Sequence, residues 1–122
     1  MAKKYALRDR VVELFSSAAK VQLTTEPVEQ GKIYCYQQVA WEIDKALSGG
    51  NTRARLYIEG HGYNHNLEEQ DAPTADTLWT YSDDVWLTPG ERLVLELDQA
   101  QASTTAEMHI TGYYTDFVEG IA

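Results

Sequence analysis

Basic side chains are scarce. Ten Lys and Arg stand against nineteen Asp and Glu, a formal net charge of −9. So acidic a chain repels phosphate and lacks the clustered cations that give nucleic-acid binding its affinity, so no nucleic-acid partner is expected. Cysteine occurs once, at Cys35, which excludes an intramolecular disulfide and a thiolate metal cluster. No apolar run approaches the ~18 residues that a membrane-spanning helix requires, so no membrane partner is expected either. No apolar stretch follows Lys3 and Lys4, so we expect no secretory signal and synthesis in a reducing cytoplasm.

What is present describes one domain. The chain has 122 residues, 43 % hydrophobic and 24 % charged, ordinary values for a globular protein large enough to bury a core without staples. The charge is unevenly spread. Residues 1–20 hold Lys3, Lys4, Arg8, Arg10 and Lys20 against Asp9 and Glu13, a net of +3, which leaves −12 for residues 21–122. The basic lead segment suits docking on an acidic surface, and Lys3, Lys4, Tyr5, Leu7, Arg8 and Arg10 are its candidate contact residues. Leu7, Val11, Leu14, Phe15 and Ala18 fit helical spacing, but the segment fits an extended arm as well. We divide the chain into an arm or short helix (1–19), a β domain (20–118) and a tail (119–122). Removing residues 1–15 is then expected to leave a folded domain.

The dominant pattern is period two, the spacing of a strand with one face buried. Ile33, Cys35, Gln37, Val39, Trp41 and Ile43 form an inward row, with Tyr34 and Tyr36 outward. Ser48-Gly49-Gly50-Asn51 reads as a hairpin turn. Next, Ala54, Leu56 and Ile58 face in while Arg53, Arg55, Tyr57 and Glu59 face out. Residues 60–77 read mostly as loop. Short strands follow at 78–81 and 84–87, then a Thr88-Pro89-Gly90-Glu91 turn. Leu93, Leu95 and Leu97 alternate with Val94, Glu96 and Asp98, and Met108 and Ile110 with Glu107, His109 and Thr111. The expected core is Ile33, Val39, Trp41, Ile43, Leu56, Ile58, Leu93, Leu95, Leu97 and Ile110, with Trp41 at its centre. Seven to eight strands joined by Gly/Pro turns indicate an all-β, antiparallel sandwich or barrel.

No catalytic constellation emerges. Glu59, His61, His65, Glu68 and Glu69 look somewhat like a cupin metal motif, but the histidines stand four apart and Leu93 and Val94 occupy the place of a further histidine. No metal or other cofactor is expected, and no enzymatic activity. Cys35 sits in an apolar row, where a thiol is unreactive. Adjacent acids such as Glu68-Glu69 and Asp83-Asp84 read as solvated. Tyrosines stand out instead: Tyr34, Tyr36, Tyr57 and Tyr113 fall on outward rows and are candidate interface aromatics.

The runs Leu67–Trp79, Val85–Leu93 and Gly112-Tyr113-Tyr114, with Gly31–Tyr34 and Arg53–Tyr57, resemble small jelly-roll proteins from the structural modules of tailed bacteriophages. That resemblance implies a jelly-roll sandwich and a virion component of the capsid decoration (cement) type. Its partners would be the major capsid protein and neighbouring copies of itself, with a trimer among the arrangements left open. The alternatives are a tail, connector or carbohydrate-binding receptor component and, further off, a cupin-like metalloenzyme.

Overall fold

The computed structural model describes residues 3–16, 18–48 and 52–116. Among the described residues nine strands are formed: β1 (Lys4–Phe15), β2 (Ala19–Thr24), β3 (Lys32–Ile43), β4 (Arg53–Gly60), β5 (Tyr63–Asp71), β6 (Trp79–Tyr81), β7 (Val85–Leu87), β8 (Arg92–Ala100) and β9 (Thr104–Asp116). One sheet runs β1-β9-β3, with β6 and β7 sharing the outer edge of β3; the other runs β2-β8-β4-β5. All pairings are antiparallel.

The pairing follows one rule. Lys4 lies opposite Thr115, Leu23 opposite Leu95, Trp41 opposite Trp79 and Leu56 opposite Glu68, so the numbers of each pair add to about 120. The chain is thus one long antiparallel ribbon, folded at β4–β5 and rolled so that β9 also pairs with β3 and β8 with β4. That is a jelly-roll sandwich. Because β3 and β4 lie in different sheets, the segment between them crosses the sandwich and is no hairpin; Gly49, Gly50 and Asn51 lie outside the described residues.

The first strand corrects the expectation of an arm or short helix at residues 1–19. β1 pairs along its whole length with β9, from Lys4 opposite Thr115 to Phe15 opposite Thr104. Its odd-numbered side chains point into the sandwich, where Leu7, Val11 and Phe15 pack against the core. Removing residues 1–15 would therefore strip the outer partner from β9 and uncover apolar surface, so the remainder is expected to lose stability rather than to stand as an intact domain. The tail at 119–122 lies outside the described residues.

Two further corrections concern the strands. The stretch expected as loop contains β5, an exposed edge strand with little apolar content. In β3 the register with β9 shifts between Tyr36 and Gln38, a bulge in which Gln37 is the extra residue. A one-residue insertion swaps the faces of everything beyond it. Val39, Trp41 and Ile43 point inward, but before the bulge it is Tyr36 that enters the core, at 1 % exposure, while Ile33 turns to the outer face and is half-buried. The expected core placement of Ile33 and the expected outward placement of Tyr36 are both overturned. Leu56, Ile58, Leu93, Leu95, Leu97, Met108 and Ile110 are buried in the interior as expected, together with Leu23, Val28, Val85 and Leu87.

Candidate binding surfaces

The outer face of the first sheet carries the basic segment. Alternation along β1 turns Lys4, Arg8 and Arg10 outward in a row that continues into the exposed Val12 and Leu14. The ammonium of Lys4 lies 4.5 Å from the centroid of the Tyr113 ring, a cation–π contact. Arg10 pairs with Glu107 at 3.3 Å, and Glu107 meets His109 at 3.0 Å. The His109 hydrogen bond, with Arg10 behind it, holds the Glu107 carboxyl below the usual carboxylate range. Among the described residues no carboxylate lies within ion-pair distance of Lys4 or Arg8. The six candidate contact residues therefore divide. Lys3, Lys4, Arg8 and Arg10 are exposed, whereas Tyr5 and Leu7 point inward, Tyr5 stacking on Tyr114 at 5.0 Å.

The expected interface tyrosines divide as well. Tyr113 is half-buried on the outer face, edge-on to Trp86 at 5.9 Å. Beneath them Cys35 lies opposite both on the neighbouring strands, fully buried, and burial pushes its thiol pKa up. Tyr34 packs against the core. Tyr57, expected as an exposed aromatic, is buried on the outer face of the second sheet because a polar network closes over it. Its hydroxyl donates to Glu96 at 3.2 Å, Gln22 reaches the same carboxylate at 3.1 Å, and Arg55 and Lys20 pair with it at 3.3 and 3.5 Å. Burial opposes the charge on Glu96, but Gln22, Lys20, Tyr57 and Arg55 outweigh it and hold the carboxyl below its ordinary pKa.

Burial pushes both Tyr36 and Tyr57 up to about 12, the negative charge of Glu96 adding to the effect at Tyr57. A phenol in the unfolded chain titrates near ~10. Between those values the unfolded chain has released protons that the folded chain retains. Stability is therefore intact below pH ~10 and falls as pH rises through the window. The two phenols together should remove about 2–3 kcal/mol by pH ~11. Urea midpoints measured across this range should drop, and Tyr57→Phe should reduce the loss of stability at pH ~11 by about 1 kcal/mol; a flat alkaline limb contradicts the assignment.

The residues of the cupin-like motif are dispersed. Glu59 binds Arg92 through both Nε and Nη2, at 3.0 and 2.6 Å. Glu69 pairs with Arg53 and Arg55. Glu68 has its pKa raised by burial, and His61 sits in the β4–β5 turn. Among the described residues no three His, Cys, Asp or Glu side chains gather as metal ligands.

His65 instead lines a cleft of ≈ 410 Å³, which sequence reading missed. It opens between the β5 edge of one sheet and the β6–β7 edge of the other, at the end of the sandwich away from β1. Ile58, Leu67 and Val85 supply its aliphatic lining; Tyr63, Tyr81, Trp86, Asp84 and Glu91 supply the rest. Tyr63 is 75 % exposed and Trp86 52 %, so two exposed aromatic side chains flank one concavity. Glu91 is held at the rim: its Oε1 accepts from both the backbone N–H and the hydroxyl of Thr88 at 2.7 Å, within the turn that Pro89 and Gly90 shape.

No protein-family model matches the chain, and no curated protein matches it. Solved structures align with the chain at low identity. A structure of CBM4 superposes with TM-score 0.42 and 11 % identity, covering 88 % of this chain and 82 % of that one. A chain of infectious bursal disease virus, Gx strain, gives 0.44 and 10 %, covering 97 % of this chain but 38 % of that one. A Bacillus endospore appendage chain, from disulfide-linked pili, gives 0.40 and 12 %, covering 95 % and 92 %. Likeness at this level bears on neither function nor partner.

Proposed function

We propose that this is a non-catalytic assembly module of a virion, a capsid decoration protein of a tailed phage. It binds the major capsid protein through the outer face of β1. The carrying observation is the arrangement of that strand: Lys4, Arg8 and Arg10 project from one side of a rigid, fully paired strand and run into exposed Val12 and Leu14, on a molecule otherwise strongly acidic. Cations steer the strand to an acidic surface and set its orientation, while the apolar end supplies contact area that desolvation favours. Many copies that bind the assembled shell better than its separated subunits stabilise it by mass action. Neighbouring copies of the same chain, as in a trimer, are the further partners in this reading.

The test leaves the fold intact. The triple variant Lys4→Glu, Arg8→Glu and Arg10→Glu changes only exposed side chains, so circular dichroism should match the parent. Its co-sedimentation with parent capsids should weaken at least ~10-fold, a loss above about 1.4 kcal/mol. Binding of the unaltered protein should also fall with added salt. Full capsid occupancy by the folded triple variant overturns the docking face. Counting copies per virion by mass spectrometry separates the head, where hundreds are expected, from a tail or connector position with a few.

A further inference from the structure

We propose that the cleft between the β5 and β6–β7 edges is a binding site for neutral carbohydrate. The inference does not depend on the docking face on β1: the cleft opens at the β5 and β6–β7 edges, away from β1, and the two sites meet only through Tyr113, which touches Lys4 on one side and Trp86 on the other. Its argument is the mixture of groups in one concavity. Tyr63, Tyr81 and Trp86 present aromatic area, which the C–H faces of a pyranose ring cover well and which excludes water on contact. The same three side chains carry phenol O–H and indole N–H donors, His65 offers either role, and Asp84 and Glu91 bring carboxylate acceptors.

Ligand classes can be ranked by how much of this set each one uses. A polyol, whose hydroxyls donate and accept at every ring position, satisfies acceptors and donors together. A lone cation, such as a lysine side chain, would use the rings and carboxylates but leave the phenol and indole donors without acceptors, a desolvation cost with no return. An acidic sugar would meet Asp84 and Glu91 on a molecule of net charge −9, so uronates and sialosides are disfavoured. Glu91 is already fixed by Thr88, which lowers the ordering cost of binding. The ligand class is therefore a neutral oligosaccharide that reaches the cleft from the open side.

The test uses the full chain and a panel of neutral hexasaccharides (cellohexaose, maltohexaose and chitohexaose), with hexagalacturonate and hexalysine as counter-probes. Saturation-transfer NMR and the fluorescence of exposed Trp86 report binding. At least one neutral hexaose should bind at ligand concentrations near about 1 mM. Tyr63→Ala and Trp86→Ala should each weaken it at least ~5-fold, with Asp84→Ala adding to the loss. Tyr63→Ala keeps the result readable should Trp86→Ala disturb Tyr113, since Tyr63 is mostly exposed. The double reversal Arg8→Glu and Arg10→Glu, which keeps the Lys4–Tyr113 contact beside Trp86, should leave sugar binding unchanged. Silence from every neutral hexaose, equal binding of the galacturonate, preference for hexalysine, or full binding by both aromatic variants overturns the proposal. Each of these outcomes leaves the capsid test untouched.

Discussion

Replacing Gly112 by alanine is expected to abolish stable folding. A Cβ at that position would overlap the carbonyl oxygen of Cys35 and sit 3.0 Å from both the Cys35 carbonyl carbon and the Tyr36 Cα. All three are backbone atoms, so no side-chain rotation relieves the overlap. The cause is the bulge at Gln37, where β3 bends and approaches β9 opposite Tyr36 and Gly112. Separating the strands would break the ladder at the centre of the first sheet and lift Tyr36 out of the core. A cost above about 4 kcal/mol follows from that named mechanism, comparable to the whole stability of many domains. Urea unfolding should show a midpoint lowered by about 2 M or more, or no folded protein. Thr111→Ala, one residue away and exposed, should change stability by less than about 0.5 kcal/mol. An alanine variant with a near-parental midpoint contradicts the close approach.

The same bulge marks where the sequence becomes illegible. From Val39 onward period two identifies the buried face of β3, because Val39, Trp41 and Ile43 are apolar and alternate with polar or small neighbours. Upstream both rows are apolar enough to be core: Ile33 and Cys35 on one, Tyr34 and Tyr36 on the other. Nothing local says that Gln37 is unpaired, so a single phase carried through the strand inverts its first half. β5 was unreadable for the opposite reason. As an edge strand it buries almost nothing, so no periodicity was selected. β1 hides because Asp9 and Glu13 take the inward-row positions beside a solvent-open gap lined by Thr24, Thr25 and Glu26, interrupting the alternation that Leu7, Val11 and Phe15 would otherwise complete. The cleft inherits these failures. Its walls come from β4, β5, β6, β7 and the following turn, brought together by pairing that links residues far apart in the chain. Local pattern reports which side of a strand is dry; it does not report which strands become neighbours.

Trp41→Ala is expected to cost about 3–5 kcal/mol, the range for truncating a buried aromatic. Trp41 is 2 % exposed, with Met108 opposite on β9 and Trp79 opposite on β6. The two indoles stack at 5.9 Å with their planes 25° apart. The second contact makes the position more than a void to be filled. β6 is three residues long, so its ladder with β3 is short and Trp79 anchors it through that stack. The variant should therefore lose the burial of one indole and also loosen the strand that carries the other. Two measurements separate these effects. A double-mutant cycle with Trp79→Ala should give a coupling of about 0.5–1.5 kcal/mol, the size of a stacked aromatic pair. Amide exchange in Trp79–Tyr81 should quicken more than in β7, which pairs with the other half of β3. A stability loss below about 1 kcal/mol, or a coupling indistinguishable from zero, would mean that the indole of Trp41 is neither buried nor shared between the strands.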